Sequence, residues 1–93
     1  MTTNKIKNIL SNYFNDAGIE VNNIKIKGFK DNEINKLEIS LDGLSIFNIL
    51  EEISIILNVL DVILIKKKHK TILITKSIIP VIILYELFLN TLS

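Results

Sequence analysis

Residues 62–75 read VILIKKKHKTILIT, two apolar runs held apart by a block of Lys and His. Nothing else in the chain constrains the fold as tightly. Successive side chains of an extended backbone alternate between two faces. Val62 and Leu64 therefore point one way, Ile63 and Ile65 the other, and both runs are apolar on both faces. That is the mark of strands covered on two sides, and the short polar block between them makes the pair a β-hairpin. Lys66, Lys67, Lys68, His69 and Lys70 then occupy its tip and the adjoining strand ends, where their charges stay hydrated and discourage edge-to-edge pairing. Lys66, Lys67, Lys68 and Lys70 are also the candidate contacts for a polyanion.

Ahead of the hairpin the apolar period changes repeatedly. Ile6, Ile9, Leu10, Tyr13 and Phe14 follow helical spacing, with Thr2 or Thr3 as cap and Gly18 to end the helix after about Asn15. In VNNIKIKGF the period becomes two, Ile24 and Ile26 opposing Lys25 and Lys27, which predicts a first strand. KDNEINK reads as a polar connector. KLEISL then alternates again, Leu37, Ile39 and Leu41 inward, and Asp42-Gly43 ends this second strand. From Leu44 to Leu57 helical spacing returns, with Ile46, Ile49, Leu50, Ile53, Ile56 and Leu57 on one stripe, Ser45 as cap and Asn58 as stop. So Ile-rich a helix must gain its stability by packing one face onto a sheet.

Helix, strand, strand, helix, strand, strand is a circularly permuted ferredoxin-like plan: an α+β fold in which two helices cover one face of a four-stranded antiparallel sheet. The chain, 1–93, is read as one domain, with a core over 5–76 and an apolar tail over 77–93. Val81, Leu84, Tyr85, Phe88 and Leu92 predict a C-terminal helix in that tail, Pro80 suiting its first turn. The tail then either packs into the core or meets a partner. Its stretch IIPVIILYELFL is 12 residues long and interrupted by Pro80 and Glu86. A membrane-spanning helix needs about 20, so no span is expected.

Composition removes several functions. With eleven basic and ten acidic residues the formal charge is +1, which draws the chain neither to nucleic acid nor to an anionic membrane. Every basic residue is Lys, and the absence of Arg removes the planar fork that grips phosphate or guanine. With no Cys there are no disulfides, thiolate metal sites or thiol nucleophiles. His69, the only His, lies among lysines with no carboxylate near it in sequence to orient it. Glu51 and Glu52, adjacent on a helix, diverge by about 100° around its axis, wrong for a shared acid and base pair. Asp31 and Glu33 lack the ligand count of a calcium loop, and Gly18, Gly28 and Gly43 are scattered at turns instead of forming a phosphate loop. Lys25 and Lys27 can join the hairpin lysines in a patch, but the aromatic residues fall on buried stripes and leave no stacking platform for nucleic acid. No catalytic, cofactor-binding or metal-binding residue is assigned, and the chain is read as a non-enzyme.

The succession IKNILSNYFNDAGIEVNNIKIKGF, a polar loop, LEISLDGLSIFNILEEISIILNVLDVILI and a basic turn into KTILIT resembles the globular domain of the type IV pilus assembly protein O and type II secretion protein M families. The likeness covers Lys5 to about Lys76. It places Gly43 at the end of the second strand, a helix over Ser45 to about Leu57 and a strand over Val59 to Ile65. It implies an inner-membrane assembly-platform domain that dimerises and holds sister subunits, with no catalytic residue. Those families carry a transmembrane helix and a coiled coil ahead of this domain, so an isolated domain or a soluble relative is implied. The location is then the periplasmic side of the cell envelope for a domain of a larger membrane protein, and the cytoplasm otherwise.

The expected role is that of an interaction module forming a homodimer. Ile63, Ile65 and Leu73 point away from the helix-covered face if Val62, Leu64, Ile72 and Ile74 point toward it, and so small a chain cannot cover both faces unless its tail folds over one. Ile82 and Ile83, apolar and off the tail's main stripe, join them as candidate self-association residues. A different class is a small-ligand-binding regulatory domain of the ACT type, whose helix and NVLDV strand pattern is shared and whose ligands bind at a dimer interface near the Asp42-Gly43 turn. A third is a weak nucleic-acid binder using the hairpin lysines.

Overall fold

The computed structural model describes residues 2–42 and 58–88. Helix α1 (Thr3–Asp16) starts where the Thr2 side chain accepts a 3.2 Å hydrogen bond from the Lys5 N–H. It ends at Ala17 and Gly18, whose φ of +82° turns the chain. The Gly18 N–H donates to the Asn15 carbonyl at 3.0 Å and the Ile19 N–H to the Phe14 carbonyl at 2.8 Å. This is the pair of bonds that closes a helix on a left-handed glycine. Ile6, Leu10 and Phe14 form its buried stripe.

Strands β1 (Val21–Lys27), β3 (Lys36–Asp42), β4 (Val62–Lys67) and β5 (Lys70–Thr75) make one antiparallel sheet in the order β1-β3-β5-β4. In β1 and β3 the alternation read from sequence is the alternation found: Ile24, Leu37, Ile39 and Leu41 are buried, while Lys25 meets Glu38 across the open face at 3.6 Å. The strand placed at Val59 begins instead at Val62. Asp61, with φ +52°, is in a left-handed turn that cannot continue an extended chain.

The polar connector holds structure of its own. Asp31 and Asn32 both have positive φ, 54° and 61°, and Lys30 and Glu33 on either side exchange two 3.0 Å main-chain hydrogen bonds. Two left-handed residues in succession make the mirror-image turn that suits a twisted hairpin, and Asp and Asn tolerate it better than other side chains. The following β2 (Glu33–Ile34) pairs with β6 (Ile79–Pro80), burying Ile34 against Ile79. Pro80 thus ends a strand just ahead of helix α2 (Val81–Phe88) instead of sitting in its first turn. The first N–H of α2, from Val81, donates to the Asn32 carbonyl at 2.8 Å. A helix start has unpaired donors, and the turn at 31–32 supplies an acceptor for one of them.

The tail, through Phe88, therefore packs into the core. Val81, Leu84 and Phe88 are buried in the same cluster as Ile6, Leu10 and Phe14 of α1 and Leu37, Ile39, Leu41 and Leu73 of the sheet. Tyr13 stands edge-on to Phe88 with ring centroids 4.9 Å apart, joining the two helices. Buried Thr75 closes the β3–β5 ladder with its side chain. Its hydroxyl accepts from the Leu37 N–H at 2.9 Å and donates to the Leu37 carbonyl at 3.3 Å. The helix expected over Ser45 to Leu57, Gly43 and Leu92 lie outside the described residues.

Candidate interaction surface

Register decides what each face of the sheet presents. Ile63 pairs with Ile74, Leu64 with Leu73, and Ile65 with Ile72. Across the next ladder Leu73 pairs with Ile39 and Ile74 with Glu38. Val62, Leu64, Leu73 and Thr75 therefore share the helix-covered face with Leu37 and Ile39. Ile63, Ile65, Ile72 and Ile74 share the other. Leu73, expected beside Ile63 and Ile65, is instead a core residue, 5% exposed, and Ile72 and Ile74 take its place on the open face.

The open face is divided. Over β1 and β3 it carries Asn23, Lys25, Lys27, Lys36, Glu38 and Ser40. Over β5 and β4 it is a block of isoleucines bounded by Lys67 and Lys70 at one end and by the Asp61–Lys76 ion pair, 3.7 Å, at the other. Exposure is concentrated along β4. Ile63 is 43% exposed, Leu64 39% and Ile65 36%, whereas Ile72 and Ile74 are half-buried between their neighbours. The expectation that β4 is covered on both faces does not hold among the described residues. It is the last strand of its sheet, and its outer edge is paired with no other strand described.

The opposite edge, β1, differs in kind. Its register shifts between Val21 and Asn23, and Asn22, Asn23, Lys25 and Lys27 are exposed. An irregular, charged edge resists pairing with another strand. Beta4 has a regular ladder and charge only at its ends.

The remaining candidates separate. Ile82 is 66% exposed on α2, in the helix layer and not on the open face, and Ile83 of the same helix is half-buried against the core. Neither joins Ile63 and Ile65 on one surface. Lys66 is exposed on the helix-covered face, in register with Thr71, and Lys68 is exposed at the hairpin tip. Lys67 and Lys70 oppose each other directly across the hairpin and, with Lys25, Asn22, Asn23, Ser40, Glu38 and Ile72, line a surface depression of about 390 Å³. Sequence alternation could place Lys25 on a face but not beside residues forty positions on. Among the described residues no group of three His, Cys, Asp or Glu could hold a metal, and no helix is long and apolar enough to cross a membrane.

No protein-family model matches this chain, and no curated protein or solved structure matches it. Geometry alone carries the functional reading.

Proposed function

We propose that this chain is a non-enzymatic interaction module that associates with a second copy of itself through β4 and the isoleucines beside it. The observation that carries this is the run Ile63, Leu64, Ile65: three consecutive large apolar side chains in solvent on a strand whose outer edge is unpaired among the described residues. Such an edge is a template for another strand, and clustered exposed apolar side chains mark a binding surface. Closed twofold pairing is the commonest way for a soluble chain to satisfy one.

The finer fold belongs to the same reading. The order β1-β3-β5-β4, antiparallel throughout and with β4 and β5 joined as a hairpin, is the strand order of a circularly permuted ferredoxin-like sheet. This supports the likeness to the pilus assembly protein O and secretion protein M domains, and with it a scaffolding role that holds sister subunits of a membrane platform. Sedimentation equilibrium at tens of micromolar tests the central claim: a dimer is expected, and a monomer overturns it.

One observation favours a second reading. Lys67 and Lys70 converge on one depression beside the Lys25–Glu38 ion pair, a place for an anionic partner. Retardation of single-stranded nucleic acid that disappears with added salt and with Lys67→Glu/Lys70→Glu is expected on that reading, and no retardation at low salt removes it.

A further inference from the structure

The turn residue Asp61 and the strand β4 that follows it read Asp61, Val62, Ile63, Leu64, Ile65, Lys66, Lys67: an acid at one end, bases at the other and an apolar centre. The direction of its main-chain groups follows from the hairpin. Lys67 and Lys70 flank the turn at Lys68 and His69 and are partners in the ladder. In a hairpin so closed that pair, and every second pair from it, exchange hydrogen bonds. The Lys76 N–H to Asp61 carbonyl bond, 3.1 Å, continues the same set at the far end. The N–H and C=O groups of Val62, Leu64 and Lys66 therefore point to the open edge.

The exposed side chains lie on both sides of that edge, Ile63 and Ile65 on the open face and Leu64 on the other. A partner laid on the open face would cover the first two and leave Leu64 in water. A strand added at the edge flanks all three.

Resting on the self-association reading, we infer that two copies join edge to edge through antiparallel β4 strands, with Leu64 on the twofold axis. Leu64 then faces Leu64 of the second copy, Ile63 faces Ile65, Val62 faces the aliphatic stem of Lys66, and Asp61 faces Lys67. The outward N–H and C=O groups of Leu64 pair with those of Leu64 of the second copy in the same register. Charge complementarity selects it. A parallel arrangement sets Lys66 and Lys67 against themselves, and like charges directly opposite are unfavourable. Moving the axis one residue toward either end sets Ile65 against Asp61 or Ile63 against Lys67. Asp61 already meets Lys76 of its own copy, both exposed, so its carboxylate would lie between two ammonium groups. The two sheets become one, with the blunted β1 strands at its outer ends.

Mixing two charge-reversed variants of the full chain tests this. Asp61→Lys alone sets Lys against Lys at both symmetric positions, and Lys67→Asp alone sets Asp against Asp. Each homodimer should weaken by about tenfold or more, while the equimolar mixture, in which both pairs are again opposite, should recover to within about threefold of wild type. Recovery on mixing cannot come from a variant that fails to fold. Leu64→Pro removes a single outward N–H and should abolish dimerisation while the circular dichroism spectrum persists. If the mixture is no tighter than its parents while Ile72→Thr/Ile74→Thr ends dimerisation, the copies meet face to face: the edge geometry is wrong and the self-association reading stands. If wild type itself is monomeric, both fall.

Discussion

Replacing Thr75 by Val tests how this small sheet is closed. The two side chains have nearly the same shape, so packing hardly changes and the loss is confined to hydrogen bonds. In the wild type the buried hydroxyl satisfies both main-chain groups of Leu37, accepting from the N–H at 2.9 Å and donating to the carbonyl at 3.3 Å. Leu37 itself is 1% exposed, so water cannot replace either bond. A buried polar group left without a partner costs about 1–3 kcal/mol. The short N–H contact should count in full and the longer carbonyl contact in part, giving a loss of about 2–4 kcal/mol. For a domain of this size that lowers Tm by roughly 10–20 °C. Thr75→Ser is the control: it keeps the hydroxyl and loses one methyl, about 1 kcal/mol. Urea unfolding followed by circular dichroism, at one fixed protein concentration because association would add stability, ranks the three. The expected order is wild type, Ser, Val. A Val variant as stable as the Ser variant would show that the hydroxyl does not close the ladder.

Three further perturbations probe other joints. Gly28→Ala should cost more than Gly18→Ala, although both residues have positive φ, because a Cβ at Gly28 meets the Asn35 Cβ at 2.7 Å while one at Gly18 meets nothing within 4 Å; the left-handed backbone alone accounts for about 1–2 kcal/mol in each, and equal urea midpoints would show that Asn35 yields freely. Phe88→Ala should cost about 3–5 kcal/mol, since Phe88 is buried against Tyr13 and Phe14; an unchanged midpoint would mean that the tail is no part of the folded core. Asn32→Val places a β-branched side chain at φ +61°, a strain of about 1–3 kcal/mol, and should speed hydrogen exchange at the Val81 amide, whose acceptor is the Asn32 carbonyl; unchanged exchange there would separate the turn from the helix start.

Sequence reasoning reached what is local. Helix α1 was legible but for the choice between Thr2 and Thr3 as its cap, because its capping threonine, its stripe through Ile6, Leu10 and Phe14 and its stop at Gly18 each act within one or two turns. Strands β1 and β3 were legible because one face is apolar and the other charged. The facing of Leu73 was not. Alternation fixes parity inside a strand, but parity between β4 and β5 depends on the length of the turn joining them. With Lys67 opposite Lys70, Leu64 falls opposite Leu73; one residue more in that turn would have sent Leu73 to the open face. The turn at Asp31 and Asn32 left a fainter signal, two residue types that tolerate left-handed backbone side by side, in a segment whose polarity otherwise suggests only a loop.

The amino-acid sequence by itself determined that α1 and α2 are helices and that β1, β3 and the β4–β5 hairpin are strands, together with the hydrophobic stripe of α1, the inward residues of β1 and β3 and the positive tip of the hairpin, since spacing and side-chain chemistry act between near neighbours. Only the tertiary structure decided that β4 lies at an edge, that β6 and α2 are held by the turn at 31–32, and that Ile72 and Ile74 lie outside while Leu73 lies within. An apolar run carries the same periodicity at the centre of a sheet and at its rim. Strand order is settled by which ladders the whole chain can close together, and no local window contains that choice.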